Sequence, residues 1–124
     1  MNSAKKRILV VEDDNDSRNA LCAMLDALGF NYVSFASGKE ALEKIKGAAI
    51  DMALLDVMMP EMNGYEVMKA LKAIPEFKDL PIIMVTAKDQ DSEILHGYQA
   101  GADYYITKPF TAKQLDYGIR IFLS

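Results

Sequence analysis

The chain has little of what several protein classes need: among its 124 residues are one cysteine, one histidine and no surplus of basic residues. The single Cys22 has no partner for a disulfide, which is typical of a reducing compartment. The net charge is -4, and the Lys and Arg residues are scattered among acids, so no basic patch forms for a phosphate backbone. Direct nucleic-acid binding is therefore not expected.

Long apolar runs are also missing. The basic start at residues 1–7 is followed only by Ile8–Val11 before three acids, which is too short for a signal peptide, and no stretch approaches a membrane span. We therefore expect a cytoplasmic protein with no membrane partner. Apolar residues make up 51% of the chain, which suits one domain over residues 1–124.

Short apolar runs alternate with longer segments of helical period. The runs predict strands near 7–11, 32–35, 51–55, 82–85 and 103–106. The helical stripes are Leu21, Met24, Leu25 and Leu28; Ala41, Leu42 and Ile45; Val67, Leu71 and Ile74; Ile94, Leu95 and Tyr98; and Leu115, Ile119 and Phe122. Five repeats of strand and helix predict an α/β domain with one doubly wound, five-stranded parallel sheet and five helices on its two faces.

Polar residues follow or end the predicted strands. Glu12 and Asp13 come after the first strand, Asp56 ends the third, Thr86 ends the fourth, and Lys108 follows the fifth. The carboxyl ends of parallel strands share one edge of the sheet, where ligands bind in open α/β folds. We therefore expect these side chains to meet in one crevice, although each alone is compatible with a solvated group beside a turn.

Several short segments carry a resemblance to a known family. In chain order they are Ile8–Asp13; Leu54–Asp56 with Met59-Pro60 and Gly64; Thr86-Ala87; Gly101–Asp103; and Lys108–Phe110. From Lys6 to about Phe122 the chain resembles a response-regulator receiver domain of two-component signalling, similar to chemotaxis regulators. The resemblance implies the flavodoxin-like receiver fold with strand order 2-1-3-4-5.

The acids predict a cation site. Three carboxylates at one edge repel one another, and an all-oxygen set suits Mg²⁺, with Mn²⁺ also possible. The resemblance implies that Asp13 and Asp56 bind the metal directly, that Glu12 acts mainly through water, and that the backbone carbonyl of Met58 completes the set. Asp14 is then a neighbour rather than a ligand.

The resemblance also implies a reaction. A phosphoryl group would pass from a phosphohistidine on a sensor histidine kinase or histidine phosphotransfer protein to the carboxylate of Asp56. Lys108 would supply positive charge to the moving oxygens, Thr86 would offer its hydroxyl, and Ala87 would leave room for the incoming group. We expect a phosphoacceptor signalling domain that promotes its own phosphorylation and dephosphorylation, and not a turnover enzyme.

Further roles follow from the same resemblance. Met58 and Lys88 would flank the water that hydrolyses the acyl phosphate. Phosphorylation would draw Thr86 toward Asp56 and let Tyr105 turn inward, which makes a two-state switch. The bond before Pro109 is expected to be cis, because the family places one there.

The output surface is expected on the fourth helix, fifth strand and fifth helix, where a downstream protein target or a fused output domain would bind. It would carry His96, Gln99, Tyr105, Tyr117 and Arg120. No metal or catalytic role is expected for His96. The chain has Tyr104, Gln114 and Gly118 where winged-helix transcription factors of the family usually have Asp, Glu and Arg, so their symmetric dimer is not expected.

Particular residues disfavour three other functions. A flavodoxin-like electron carrier needs a first loop that holds phosphate, whereas Glu12–Asp16 would repel one. A phosphatase with an aspartyl nucleophile would carry a general acid two residues later, where Met58 stands. The remaining alternative is a receiver-like scaffold that binds proteins without phosphorylation, which the presence of all the expected acids, Thr86 and Lys108 disfavours.

Overall fold

Five strands form one parallel sheet in the order β2-β1-β3-β4-β5, in a computed structural model that describes residues 6–87 and 101–123. The strands are β1 (Arg7–Val11), β2 (Asn31–Phe35), β3 (Met52–Asp56), β4 (Ile82–Ala87) and β5 (Tyr104–Lys108). The helices of the described ranges are α1 (Asn15–Leu28), α2 (Gly38–Lys44), α3 (Gly64–Lys72) and α4 (Ala112–Leu123), with a short 3-10 turn at Pro75–Phe77. The predicted fold class and strand order are confirmed.

Element bounds differ from the prediction mainly at the carboxyl ends of β4 and β5. β4 continues one residue past Thr86, and Lys108 is the last residue of β5 rather than the residue after it. The two ends extend together because Thr86 pairs with Thr107 and Ala87 with Lys108. The helix predicted around residues 94–98 lies outside the described ranges, and the last predicted helix is α4.

Side chains of the central strands are buried on both faces of the sheet. Along β1, Leu9 and Val11 pack with the helices α2 and α3, whereas Ile8 and Val10 pack with α1 and α4. This division follows from the alternation of side chains along a strand. It also explains why the strands are nearly continuous apolar runs, as in parallel sheets covered by helices on both sides.

Polar caps fix the starts of α1 and α3, the helices that follow β1 and β3. The side chain of Asp14 accepts a hydrogen bond from the backbone amide of Ser17 at the start of α1. At α3, Asn63 and Glu66 form a reciprocal capping box. Such caps satisfy amide groups that a helix leaves unpaired, so each helix begins at a defined distance from the strand before it.

Gly64 allows α3 to begin directly against the end of β3. Its amide donates to the carbonyl of Val57 over 3.0 Å. A Cβ atom built on Gly64 would lie 2.5 Å from the carbonyl oxygen of Asp56, which is closer than real Cβ contacts allow. The loop of residues 57–63 therefore folds back on the strand that carries Asp56.

Among the helices that the structure describes, none has the length and apolar character needed to cross a membrane.

We predict that Gly64→Ala destabilises the protein by about 1–3 kcal/mol, because the new methyl group meets a backbone carbonyl that cannot rotate away. Urea unfolding monitored by circular dichroism measures the change. Gly118→Ala is the matched control and should lose less: its Cβ would lie 3.0 Å from the side-chain ring of Tyr104 rather than 2.5 Å from a backbone carbonyl, and alanine has the better helix propensity. Equal losses in the two variants would contradict the interpretation.

Candidate functional site

Three parallel strands deliver the polar side chains of the site to one edge of the sheet. Asp56 is the last residue of β3, Glu12 follows β1 directly, and Lys108 ends β5. Glu12 and Asp56 are buried, with exposed fractions of 3% and 6%. Two carboxylates withdrawn from water on neighbouring strands are costly unless a positive charge compensates them.

Lys108 supplies that charge. Its Nζ atom donates to Oε1 of Glu12 at 2.9 Å and lies 3.4 Å from Oδ1 of Asp56. The ammonium group therefore bridges two residues that are 96 and 52 positions away along the chain. The joint placement expected from the strand pattern is thus observed for Glu12, Asp56 and Lys108.

The electrostatic balance of the site raises the pKa of Asp56 to about 7. Burial is the largest cause, the neighbouring charge of Glu12 adds to it, and the charge of Lys108 opposes both. Burial lowers the pKa of Lys108, but its hydrogen bond to Glu12 and the charge of Asp56 outweigh burial, so its pKa is raised overall. Lys108 therefore stays charged, while Asp56 is poised between its two protonation states.

The backbone holds Glu12 in place. Its amide donates to the carbonyl of Phe35 at 3.1 Å, and its carbonyl accepts from Nη1 of Arg18 at 2.9 Å. Its second carboxylate oxygen accepts from the amide of Asp14 at 3.2 Å. Glu12 thus has partners on both sides and cannot easily leave the Lys108 ammonium.

Glu12, Asp13 and Asp56 form a cluster of oxygen ligands. One carboxylate oxygen from each lies within 4.8 Å of the others. This donor set contains only hard oxygen atoms, which fits a cation such as Mg²⁺ and does not fit a metal that prefers thiolate or imidazole. Asp14 is instead occupied as the cap of α1.

The remaining predicted site residues surround this cluster. Thr86 is fully buried, and its hydroxyl donates to the carbonyl of Ala87 at 3.4 Å, whereas Ala87 itself is exposed. The side chain of Met58 projects from the loop after β3 and is 62% exposed. The bond between Lys108 and Pro109 is cis, the isomer that the resemblance implies.

Tyr105 reaches toward α3. Its hydroxyl oxygen is 2.6 Å from the hydroxyl oxygen of Tyr65. Met84 is its partner in the sheet register, and Thr86 stands two residues after Met84. Because side chains alternate along a strand, Thr86 and Tyr105 face the same side of the sheet.

Some expectations fall on residues outside the described ranges. These are the role of Lys88 beside the hydrolytic water and the positions of His96 and Gln99 on the output surface. Within the described part of that surface, the side chain of Tyr117 is 65% exposed, and Arg120 bonds to Asp116 at 2.7 Å while lying over the ring of Phe30.

Sequence reasoning missed Arg18 and Tyr65. Arg18 is the one basic residue of α1 and lies near its amino end, where the helix dipole disfavours a cation. That unfavourable position is a signal for a nearby acceptor, which proves to be the carbonyl of Glu12. Tyr65 had no comparable signal, because its contact with Tyr105 spans 40 residues.

An apolar hollow of about 460 Å³ adjoins the site. Lys108 and Glu12 border it on the polar side. The rest of its lining comes from α1, the end of β4 and the segment after β5: Ser17, Ala20, Leu21, Met24, Val85, Ala87, Pro109 and Phe110. The acid cluster is therefore flanked by a surface on which an apolar side of a protein or small molecule could pack.

Comparison with known proteins gives consistent results. The sequence model described as the response regulator receiver domain matches residues 8–120. The DNA-binding response regulator MtrA of Mycolicibacterium smegmatis is 37% identical over 115 residues, which are 93% of this chain and 49% of that protein. The chain thus spans about half the length of the curated relatives it matches.

Solved structures resemble the chain over nearly its whole length. The chemotaxis protein CheY4 of Vibrio cholerae is 30% identical with a TM-score of 0.89, and the match covers 95% of this chain and 98% of that one. The receiver domain of the sensor histidine kinase PA1611 from Pseudomonas aeruginosa, which holds a magnesium ion in its active-site cleft, is 28% identical with a TM-score of 0.87 over 95% and 97% of the two chains.

We predict that the contribution of Asp56 to stability in metal-free buffer falls as the pH rises from about 4 to 7. The pKa of Asp56 is about 7 in the folded protein against 3.8 as its ordinary value, so proton binding favours the folded state and ionisation opposes it. Asp56→Asn should therefore exceed the unsubstituted protein in stability at pH 8 by about 1–3 kcal/mol, with the difference narrowing toward pH 5.

Urea unfolding at several pH values measures this difference. The control is Asp79→Asn, which neutralises an exposed acid outside the site and should show no such trend. A difference for Asp56→Asn that stays constant with pH would overturn the assignment of a raised pKa to Asp56.

Proposed function

The chain belongs to the response regulator receiver domain family of two-component signalling, and we propose that it accepts a phosphoryl group from a partner phosphohistidine on the carboxylate of Asp56. The observation that carries the proposal is the Lys108 ammonium, which contacts buried Glu12 and Asp56 at the edge where three carboxylates converge. An acceptor carboxylate beside a fixed cation is what transfer of a negatively charged group requires.

The chain's own residues divide the chemistry between them. One oxygen of Asp56 attacks the phosphorus as the bond to the histidine nitrogen breaks, and an acyl phosphate results. Lys108 stabilises the charge on the moving oxygens. Thr86 offers its hydroxyl to a phosphoryl oxygen once it turns from the carbonyl of Ala87, and the small side chain of Ala87 leaves space for the group.

The acid cluster fits Mg²⁺, and Mn²⁺ has the same preference for oxygen. We propose Asp13 and Asp56 as direct ligands, the backbone carbonyl of Met58 as a third, and Glu12 as a contact through water. When bound, the ion neutralises charge on the phosphoryl oxygens. The magnesium in the related PA1611 receiver domain supports this choice.

The apolar hollow beside Lys108 suits the phosphodonor partner. A sensor histidine kinase or histidine phosphotransfer protein must bring its histidine to Asp56 from the open edge of the sheet. The side chains of α1, with Pro109 and Phe110, offer an apolar surface next to that edge. We therefore place the donor against this hollow, with its histidine directed at the acid cluster.

The proposed domain is a signalling acceptor rather than a turnover enzyme. The acyl phosphate returns to free Asp56 by hydrolysis, and we propose that the side chain of Met58, which is exposed, flanks the attacking water. The phosphorylated state would be read by a downstream protein or an output domain fused to the chain. The DNA-binding name of the relative MtrA supports an output of the second kind. The scaffold without phosphorylation is not favoured, because the acceptor, the cation and the acids lie together in bonding geometry.

Intact mass spectrometry tests the acceptor directly. With Mg²⁺ and acetyl phosphate, we expect a gain of about 80 Da, corresponding to one phosphoryl group, and no gain for Asp56→Asn. Asp79→Asn is the control and should gain the same mass as the unsubstituted protein. If several phosphodonors give no gain and Mg²⁺ gives no thermal shift, the scaffold function would replace this proposal.

Mg²⁺ should stabilise the folded protein by about 1.4 kcal/mol at ten times its Kd, because a ligand that binds only the native state adds stability by mass action. Thermal unfolding with and without Mg²⁺ measures the shift. Asp13→Asn should lose most of it by removing a proposed ligand. Asp14→Asn is the matched control, because asparagine also caps helices, and it should keep the shift. Loss of the shift in both variants would count against the ligand assignment.

A further inference from the structure

Two tyrosines connect α3 to β5. Tyr65 is the second residue of α3, Tyr105 is the second residue of β5, and their hydroxyl oxygens are 2.6 Å apart. Both rings are half-buried and pack against the core under α2 and α3. The contact therefore fixes Tyr105 in a packed position, with its ring directed toward α3.

Tyr65 is in turn fixed to the backbone that carries Asp56. Its neighbour Gly64 donates to the carbonyl of Val57 and approaches the carbonyl of Asp56 so closely that no side chain fits between them. A shift of the end of β3 would therefore move the start of α3 and the Tyr65 hydroxyl with it. Tyr105 is connected to the acceptor strand through these contacts, in addition to any coupling through Thr86.

We propose that the Tyr65 hydroxyl tethers Tyr105 in its packed position in the unphosphorylated protein. It thereby sets the ratio of packed to solvent-facing Tyr105 before phosphorylation. This inference rests on the proposed function for its signalling role, but the tether itself is a property of the unphosphorylated protein. Tyr65 acts as a positioning residue, because it touches Tyr105 and not the acceptor carboxylate. A hydrogen bond of this kind changes a two-state balance by roughly three- to tenfold.

Tyr65→Phe removes the hydroxyl and keeps the ring. In metal-free buffer without phosphodonor, we expect the ratio of solvent-facing to packed Tyr105 to rise by roughly three- to tenfold. Nuclear magnetic resonance of ring-labelled tyrosine measures this ratio, and Tyr105→Phe identifies the Tyr105 signals. Tyr104→Phe is the matched control, since it removes a hydroxyl from the adjacent residue, whose ring packs with the cluster on the other face of the sheet. An unchanged ratio in Tyr65→Phe, or an equal change in Tyr104→Phe, overturns the tether.

Coupling to Asp56 is tested on the same samples after addition of Mg²⁺ and acetyl phosphate. We expect phosphorylation to return Tyr105 of the Tyr65→Phe variant toward the packed position. A variant that gains the phosphoryl mass while its ring ratio stays fixed would overturn the coupling. If the unsubstituted protein gains no mass, the proposed function fails, and the ring ratio without donor still decides whether the tether exists.

Discussion

The site depends on one cation holding two buried carboxylates together. Without Lys108, Glu12 and Asp56 would be two negative charges withdrawn from water with no compensating cation, which is strongly unfavourable. With it, Glu12 is bonded at 2.9 Å, while Asp56 at 3.4 Å keeps a raised pKa. The charge of an ionised Asp56 is therefore only partly compensated, which leaves room for a second cation at this carboxylate.

The rest of the fold can be understood as the means of keeping these groups in register. Parallel pairing places the ends of β1, β3 and β5 at one edge, and cover on both faces keeps the central strands from sliding. The helix caps of α1 and α3, together with Gly64, allow these helices to begin close to the ends of β1 and β3. The backbone of Glu12 is held from β2 by Phe35 and from α1 by Arg18, so neighbouring elements contribute to the position of one carboxylate.

The sheet could be predicted from the sequence because buried parallel strands have a distinctive sequence pattern, which is an apolar run that ends in a polar residue. The same pattern predicts that Asp56, Thr86 and Lys108 lie at one edge of the sheet. For contacts between separate elements, the sequence does not identify the partner. The bond of Arg18 to a backbone carbonyl and the Tyr65 to Tyr105 contact depend on the distance between separate elements, which periodicity does not specify. The extension of β5 to Lys108 depends on pairing with β4, which likewise is not local.

The adjacent residues Tyr104 and Tyr105 of β5 pack on opposite faces of the sheet. The ring of Tyr104 packs with α4 beside Gly118 and Phe122. Since Gly118 has no side chain, the ring of Tyr104 can approach the backbone of α4 closely on this face. Tyr105 points to the opposite side, toward α3 and the acceptor strand. A conformational change at Tyr105 can therefore take place while Tyr104 keeps β5 packed against α4, because the two rings contact different helices on opposite faces of the sheet.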